Sequence, residues 1–215
     1  MATLTFAQIQ EQDGLADWRV ILGVLRASFA TPDMSTGVEF VGAVVAAANE
    51  ANHHPDLVLT YPRVEVDLVT HDAGGLTVRD VEMARTISGI AAGMGLQPEP
   101  GRRQVMEYAI DALDIDAVRP FWQAVTGLQP DADGNLPAAG VGQVALWFQQ
   151  MDAPRPQRNR IHLDVAVPVE VAEQRVAAAV AAGGRLLSEA AAPAFWVLAD
   201  AEGNEVCVCT SAGRD

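Results

Sequence analysis

The feature that most constrains the fold is a proline-rich break near the middle of the chain. Residues 97–103 read Gln-Pro-Glu-Pro-Gly-Arg-Arg, with two prolines and no apolar periodicity. Because proline fixes φ and lacks a backbone N–H, this segment is expected to connect domains. At 215 residues the chain is long enough for two small domains. We therefore predict a first domain over residues 1–96, a linker over 97–104 and a second domain over 105–215.

The composition excludes several classes of function. The formal net charge is −14, whereas proteins that bind nucleic acids need clustered Lys and Arg. No apolar run reaches the length of a membrane span, and the N-terminus lacks a positive region followed by an apolar core. Cys207 and Cys209 are badly placed to bridge each other within one strand-like run. We expect a cytoplasmic protein with reduced thiols that binds neither nucleic acid nor membrane.

The first domain has the pattern of an α+β fold. Residues 18–30 are rich in apolar side chains and are broken at Gly23, which is typical of two short strands in a hairpin. A helix follows, with apolar residues at helical spacing: Phe40, Val41, Val44, Val45 and Ala48. Residues 57–60 are strand-like, and residues 63–70 alternate between apolar and charged side chains. With a final helix, these segments predict a four-stranded antiparallel sheet with helices on one face.

Three of the four histidines lie close together in the sequence. His53 and His54 stand where Pro55 ends the preceding helix, and His71 follows the alternating strand. Histidine has the unperturbed pKa nearest to neutral pH, and the negative end of a helix favours its protonated form. The residues alone leave acid–base catalysis, a metal site and a structural role open. No HxxxH or CxxC spacing accompanies the pair in support of a metal site.

The same segment resembles a known family. Its matching residues are Asn52-His53-His54-Pro55, Tyr61, Val64, Thr70-His71-Asp72, Gly75-Leu76-Thr77 and Asp80. Together they are similar to the pterin-4a-carbinolamine dehydratases, and the resemblance covers roughly residues 1–95. It implies a small α+β fold that dehydrates 4a-hydroxytetrahydropterin to quinonoid dihydropterin without a metal or an organic cofactor. That reaction recycles the pterin cofactor of aromatic amino-acid hydroxylases.

The resemblance also implies roles for individual residues. The family's catalytic histidines fall on His53, His54 and His71. One side chain must protonate the leaving hydroxyl and another must accept the ring proton. Our hypothesis is that His54 and His71 transfer protons while His53 binds or orients the pterin. The expected substrate-binding and orienting residues are Asn49, Pro55, Thr70, Asp72 and Asp80.

One of these expectations has an alternative, and two residues depart from the family pattern. Asp80 stands three residues after Thr77 and would serve equally as the second member of a helix capping box. Asn49 occupies a position where many relatives have Glu, and Leu57 replaces an aromatic residue of some animal members. Both departures bear on substrate affinity more than on the reaction.

The second domain repeats a strand–helix–strand pattern. Its predicted elements are strands at 105–112, 141–148 and 161–167, a helix within 114–126 containing Phe121-Trp122, a helix at 169–182 and closing strands at 195–198 and 206–209. Two halves of about fifty residues indicate an internal duplication. The runs at 158–165 and 196–205 resemble the glyoxalase and bleomycin-resistance (vicinal oxygen chelate) superfamily. That resemblance implies a glyoxalase-like domain of βαβββ repeats.

Metal-using members of that superfamily take His, Gln and Glu ligands from four strands. His162 matches one ligand position and Glu107 another, whereas Cys207 stands where metalloenzymes carry Glu. Two ligands out of four make a poor divalent site, so we expect a binding or dimerising module without a metal. Trp147 and Trp196 are expected to offer stacking surfaces for a small aromatic ligand on its concave sheet.

Three functions are therefore open. The first is pterin dehydration by a homodimer. The second is a protein-binding role, since animal relatives of the first domain are dimerisation partners of a transcription factor; the acidic composition and the fused domain argue against it. The third is a metal-dependent lyase or dioxygenase activity of the second domain, with the first domain as regulator.

Overall fold

The computed structural model describes residues 2–117, 119, 128–138, 144–154, 161–181, 183–199 and 205–213. The chain divides into two compact units. The first comprises Met1–Gln104, Val167–Val171 and Thr210–Asp215, and the second comprises Val105–Ala166 and Ala172–Cys209. Within the described ranges, no helix is both long and apolar enough to cross a membrane.

The first unit is built on an antiparallel sheet. Its elements are α1 (Phe6–Gln10), β1 (Arg19–Ile21), β2 (Val24–Ala30), α2 (Met34–Ala51), β3 (Asp56–Thr60), β4 (Arg63–Leu68), α3 (Val78–Gly93) and β5 (Gln97–Pro98). The four main strands lie in the order β1-β2-β4-β3, and the two-residue β5 pairs with the last residues of β2. The predicted α+β fold with a four-stranded antiparallel sheet is confirmed.

The core of this unit lies between the sheet and the two long helices. Its buried members include Val64, Val66 and Leu68 of β4, Phe40, Val44 and Ala48 of α2, and Val81, Ala84 and Ile87 of α3. The buried residues of β4 are the alternate positions that its period-2 pattern predicts. Val45 is 43% exposed, because the helical turn of about 100° per residue carries it away from the inward-facing Val44.

The residues expected to form the linker pair with the first sheet. The amide of Glu99 donates to the carbonyl oxygen of Ser28 at 2.8 Å, beside the β5–β2 pairing. Arg103 forms ion pairs with Glu65 and Asp67 on β4. The prolines correctly exclude a helix here, but they carry no information about the edge of β2 that is open to pairing.

The second unit contains a six-stranded mixed sheet. Its elements are β6 (Val105–Ala112), β7 (Ala145–Gln150), β8 (Ile161–Ala166), α4 (Val169–Ala181, from Ala172 onward), β9 (Arg185–Ser188), β10 (Phe195–Ala199) and β11 (Glu205–Cys209). The strands lie in the order β7-β6-β8-β11-β10-β9. The central pair β6–β8 is antiparallel, and each of its strands has a parallel neighbour, β7 and β11 respectively. This arrangement agrees with two related halves and with a glyoxalase-like sheet domain.

Some expectations for this unit lie outside the described residues. They concern Phe121-Trp122 of the predicted helix and the parts 158–160 and 200–204 of the runs that resemble the glyoxalase superfamily. Residues 115–117 are helical, as predicted for the start of that helix.

Candidate functional site

A buried imidazole–carboxylate pair lies at the end of α2. The helix is capped by Asn52 in the left-handed region, with φ of 47°. The next residue, His53, is only 6% exposed, and Asp80 is fully buried. His53 Nε2 lies 2.8 Å from Asp80 Oδ1. Since a carboxylate only accepts, the ring nitrogen of His53 donates this hydrogen bond.

The second oxygen of Asp80 fixes the start of α3. Oδ2 accepts hydrogen bonds from the Thr70 hydroxyl at 2.6 Å and from the Thr77 amide at 2.7 Å. Thr77 is the N-cap of α3, and its hydroxyl lies 2.9 Å from that of Thr70. Asp80 therefore caps α3 and binds His53 at the same time.

His54 lies at the surface beside the last turn of α2. Its Nε2 is 3.0 Å from Asn49 Oδ1, and both residues are exposed. Pro55, which follows, is half-buried. Asn49 was expected to contact the substrate, and in this structure it contacts the imidazole of His54.

His71 is exposed on the turn that follows β4. Together with the exposed Asp72 it belongs to a single turn of 3₁₀ helix, His71–Ala73. Thr70 and Gly75 close this turn by exchanging backbone hydrogen bonds at 3.2 and 3.4 Å. The turn therefore presents His71 to solvent immediately after a threonine whose hydroxyl is buried.

Asp80 ties together the two segments that carry the exposed histidines. It binds His53, the residue before His54, and Thr70, the residue before His71. One buried carboxylate thus holds the residues that precede both exposed histidines. An imidazole is a side chain that can donate or accept a proton near neutral pH.

Two residues contribute to the site without being predicted as part of it. The sequence predicts Thr77 only as a helix cap, but its contact with Thr70 joins residues from separate elements. Arg79 donates from Nη2 to the carbonyl oxygen of Asn52, which holds the turn before His53. The capping pattern could have suggested Thr77, whereas no local signal identifies Arg79.

The second unit holds a different polar cluster. Ligand atoms of His162, Asp164 and Cys207 all lie within 4.8 Å of one another. Glu107, which matches a ligand position of metal-using superfamily members in the sequence, is outside this group; the strand register places it opposite Asp164 across the β6–β8 pair.

The two tryptophans expected to face one ligand lie on opposite faces of the sheet. Trp147 makes an edge contact with His162, with ring centroids 5.7 Å apart. On β10, Val197 pairs with Cys207, so the neighbouring Trp196 points to the other face and is 7% exposed. The expectation of paired stacking surfaces is therefore wrong for Trp196.

Comparison with known proteins covers both units. Residues 2–90 match the family described as Pterin 4 alpha carbinolamine dehydratase, and residues 107–209 match a Glyoxalase-like domain. A protein of Nostoc punctiforme, provisionally named pterin-4-alpha-carbinolamine dehydratase, is 43% identical over 88 residues, which are 40% of this chain and 95% of that protein. The chain belongs to the pterin-4-alpha-carbinolamine dehydratase family. It also carries a glyoxalase-like domain.

The chain is also similar to a second provisionally named dehydratase and to two solved structures. A provisionally named dehydratase of Sulfurisphaera tokodaii is 39% identical over 88 residues, 40% of this chain and 95% of that protein. A transcriptional coactivator/pterin dehydratase from Brucella melitensis has 32% identity and a TM-score of 0.38, covering 42% of this chain and 99% of that one. A glyoxalase/bleomycin resistance protein/dioxygenase superfamily member from Vibrio splendidus has 18% identity and a TM-score of 0.34, covering 50% and 99%.

Proposed function

We propose that the first unit dehydrates a 4a-hydroxytetrahydropterin to the quinonoid dihydropterin by histidine acid–base catalysis. The observation that carries this proposal is the attachment of His53 and Thr70 to the single buried carboxylate of Asp80. Membership of the dehydratase family supports the same substrate class.

The reaction needs two proton transfers. The C4a–O bond breaks as the hydroxyl receives a proton and leaves as water, and the neighbouring ring nitrogen gives up a proton. The protein therefore donates one proton, accepts another and keeps its total unchanged. Afterwards the two groups must exchange protons with solvent to reset, which suits exposed side chains such as His54 and His71.

In this proposal the remaining residues hold and orient. His53 is fixed by Asp80 and orients the pterin, while Asn49 orients His54 through their 3.0 Å contact. Thr70 keeps the strand end that leads to His71 in place through Asp80. The exposed Asp72 and the half-buried Pro55 are the proposed pterin contacts beside these groups.

The test is a stopped-flow dehydration assay of the full chain on freshly generated 4a-hydroxytetrahydropterin. We expect His54→Ala and His71→Ala each to lower the catalysed rate by about 10²–10⁴-fold, the usual contribution of a general acid or base. Glu173→Ala, an exposed position on α4, is the control and should keep the wild-type rate. The proposal fails if wild type does not exceed the spontaneous rate, or if both histidine variants retain full activity.

The expected homodimer and the link to aromatic amino-acid hydroxylases follow from the family resemblance alone, and they stay predictions. Sedimentation of the purified full chain checks the first of them directly.

A further inference from the structure

The segment that follows α3 is bound to the outer face of the first sheet, and we call residues 97–103 the strap. Its first two residues pair with the end of β2, and the amide of Glu99 donates to the carbonyl oxygen of Ser28 at 2.8 Å. Ser28 stands opposite Glu65 in the β2–β4 pair, so its side chain lies on the face away from the helices. It is nevertheless fully buried, and its hydroxyl lies 3.4 Å from the Glu99 carboxylate. The strap therefore covers part of this face.

Ion pairs attach the far end of the strap to β4. Arg103 Nη2 lies 2.7 Å from Asp67 Oδ1, and Nη1 of the same guanidinium pairs with Glu65. Arg26 of β2 pairs with the other oxygen of Asp67. The Asp67 carboxylate thus lies between two guanidinium groups, one from the sheet and one from the strap.

The strap places no buried side chain in the core. Leu96, just before it, is 5% exposed, whereas every side chain of residues 97–103 is exposed or half-buried. At the near end Glu99 makes a further ion pair, 3.4 Å from Arg63 Nε. The strap is therefore held mainly by ion pairs and a few backbone hydrogen bonds. Segments with few buried apolar contacts open at free energies well below that of global unfolding.

These ion pairs are open to screening by salt. The side chains of Arg103, Asp67 and Glu65 are 13%, 21% and 26% exposed, so solvent reaches all three. The distance over which charges interact in solution falls from about 10 Å at 0.1 M salt to about 3 Å at 1 M. Burial of apolar side chains in the core is not weakened by salt in this way.

We propose that the strap is a salt-controlled latch. The pairs of Arg103 with Glu65 and Asp67 close it on the first sheet, and screening or loss of these pairs releases it while the core of the unit stays folded. The strap is the chain segment that leads toward β6, so the latch sets whether this connection is bound or free. The device is separate from the proposed pterin chemistry, because it uses none of the residues that Asp80 ties together.

The experiment is limited digestion of the full chain with trypsin, followed by mass spectrometry of cleavage after Arg102 or Arg103. The cleavage rate reports the released fraction when opening and closing are fast relative to cleavage. At low salt we expect Asp67→Asn to raise this rate about tenfold, through the loss of charge from two ion pairs. Glu39→Gln removes one negative charge from an exposed position of α2. It is the matched control and should be cleaved at the wild-type rate.

A salt series on wild type tests the same latch without a substitution. Raising NaCl from about 0.05 M to about 1 M should increase cleavage in the strap at least about threefold. Rates are normalised to the cleavage of a small chromogenic peptide, which corrects for the effect of salt on trypsin. Hydrogen–deuterium exchange separates local release from unfolding: exchange of the strap should rise in 1 M NaCl and in Asp67→Asn, while peptides from β4 and α3 stay protected.

Three results overturn the proposal. The first is cleavage of wild type that does not change with salt, and the second is folded Asp67→Asn that is cleaved at the wild-type rate. The third is exchange of the strap that rises only together with that of β4, because the strap then opens with the whole unit. Circular dichroism shows whether Asp67→Asn is folded; if it is not, the salt series on wild type decides.

Discussion

In each unit a histidine lies near buried carboxylate groups: Asp80 in the first unit, and Asp111 and Asp164 in the second. The two arrangements differ in the distance between imidazole and carboxylate. In the first unit His53 lies 2.8 Å from Asp80, whose other oxygen accepts hydrogen bonds at 2.6 and 2.7 Å. In the second unit His162 stands 3.4 and 3.5 Å from Asp111 and Asp164. The first set has the lengths of strong hydrogen bonds, whereas the second set does not.

This difference separates two arrangements of the same residue types. A closed network of short bonds holds chain segments in place, and Asp80 does this for the segments that lead to His54 and His71. The longer separations of His162 from Asp111 and Asp164 form no such network of short bonds among these three residues.

The largest loss of stability should follow from removing the short hydrogen bonds that Asp80 accepts. Asp80→Ala removes the acceptor of His53, Thr70 and Thr77, and each buried group left without a partner costs about 1–3 kcal/mol. We expect the first unit to unfold at lower urea concentration and the dehydration rate to fall with it. Hydrogen–deuterium exchange of peptides from β4 and α3 measures the local loss.

Asp72→Ala is the stability control for that experiment, since Asp72 is exposed on the adjacent turn and surface substitutions usually change stability by less than about 0.5 kcal/mol. Equal exchange rates in Asp80→Ala and wild type would show that the short distances contribute no stability.

A smaller loss of stability is expected when the Thr77 hydroxyl is removed. This hydroxyl belongs to the capping box of α3 and contacts the hydroxyl of Thr70. Thr77→Val removes the N-cap of α3 and the contact with Thr70, and loss of such a cap costs about 1 kcal/mol. Thr77→Ser keeps the hydroxyl and should retain most of the stability. Urea midpoints of the first unit distinguish the two variants; equal midpoints would mean that Asp80 alone fixes the helix start.

The smallest effect on stability is expected at Asp33, an exposed carboxylate that serves as a reference for the buried carboxylates. Hydrogen bonds from the backbone and side chain of Thr36 lower the pKa of Asp33, the N-cap of α2. A pKa lower in the folded than in the unfolded protein means that the stabilisation is present at neutral pH and is lost as pH falls into the acid range. Asp33→Asn keeps a capping oxygen without titrating, so the stability difference from wild type should shrink toward acid pH. A stability difference between wild type and Asp33→Asn that does not change with pH would contradict this expectation.

The local sequence signals predicted most of the first unit. Alternation identified β4, apolar spacing identified α2, and Pro55 placed the helix end beside His53. Each signal describes a free-energy preference of neighbouring residues, so a short segment suffices to read it. The roles of His54 and His71 in catalysis stay predictions until rates are measured.

Such local signals do not predict which strands pair or in which register. The pairing of β5 with β2 depends on which strand edge is open, and the sheet face on which Trp196 lies depends on the register of β10 against β11. A shift of one residue in register exchanges the two faces of a strand, so the face of a given side chain is not a local property.

The sequence by itself determined the two-part organisation, the α+β character and the position of three histidines at element ends, because periodicity, proline and helix caps act over a few residues. Only the tertiary structure decided which distant side chains come into contact. Asp80 meets His53 through the packing of α2 against α3, and Asp164 stands opposite Cys207 through the β8–β11 pairing. Both encounters join residues far apart in the chain, whose approach is stabilised by burial of the whole core rather than by any local preference.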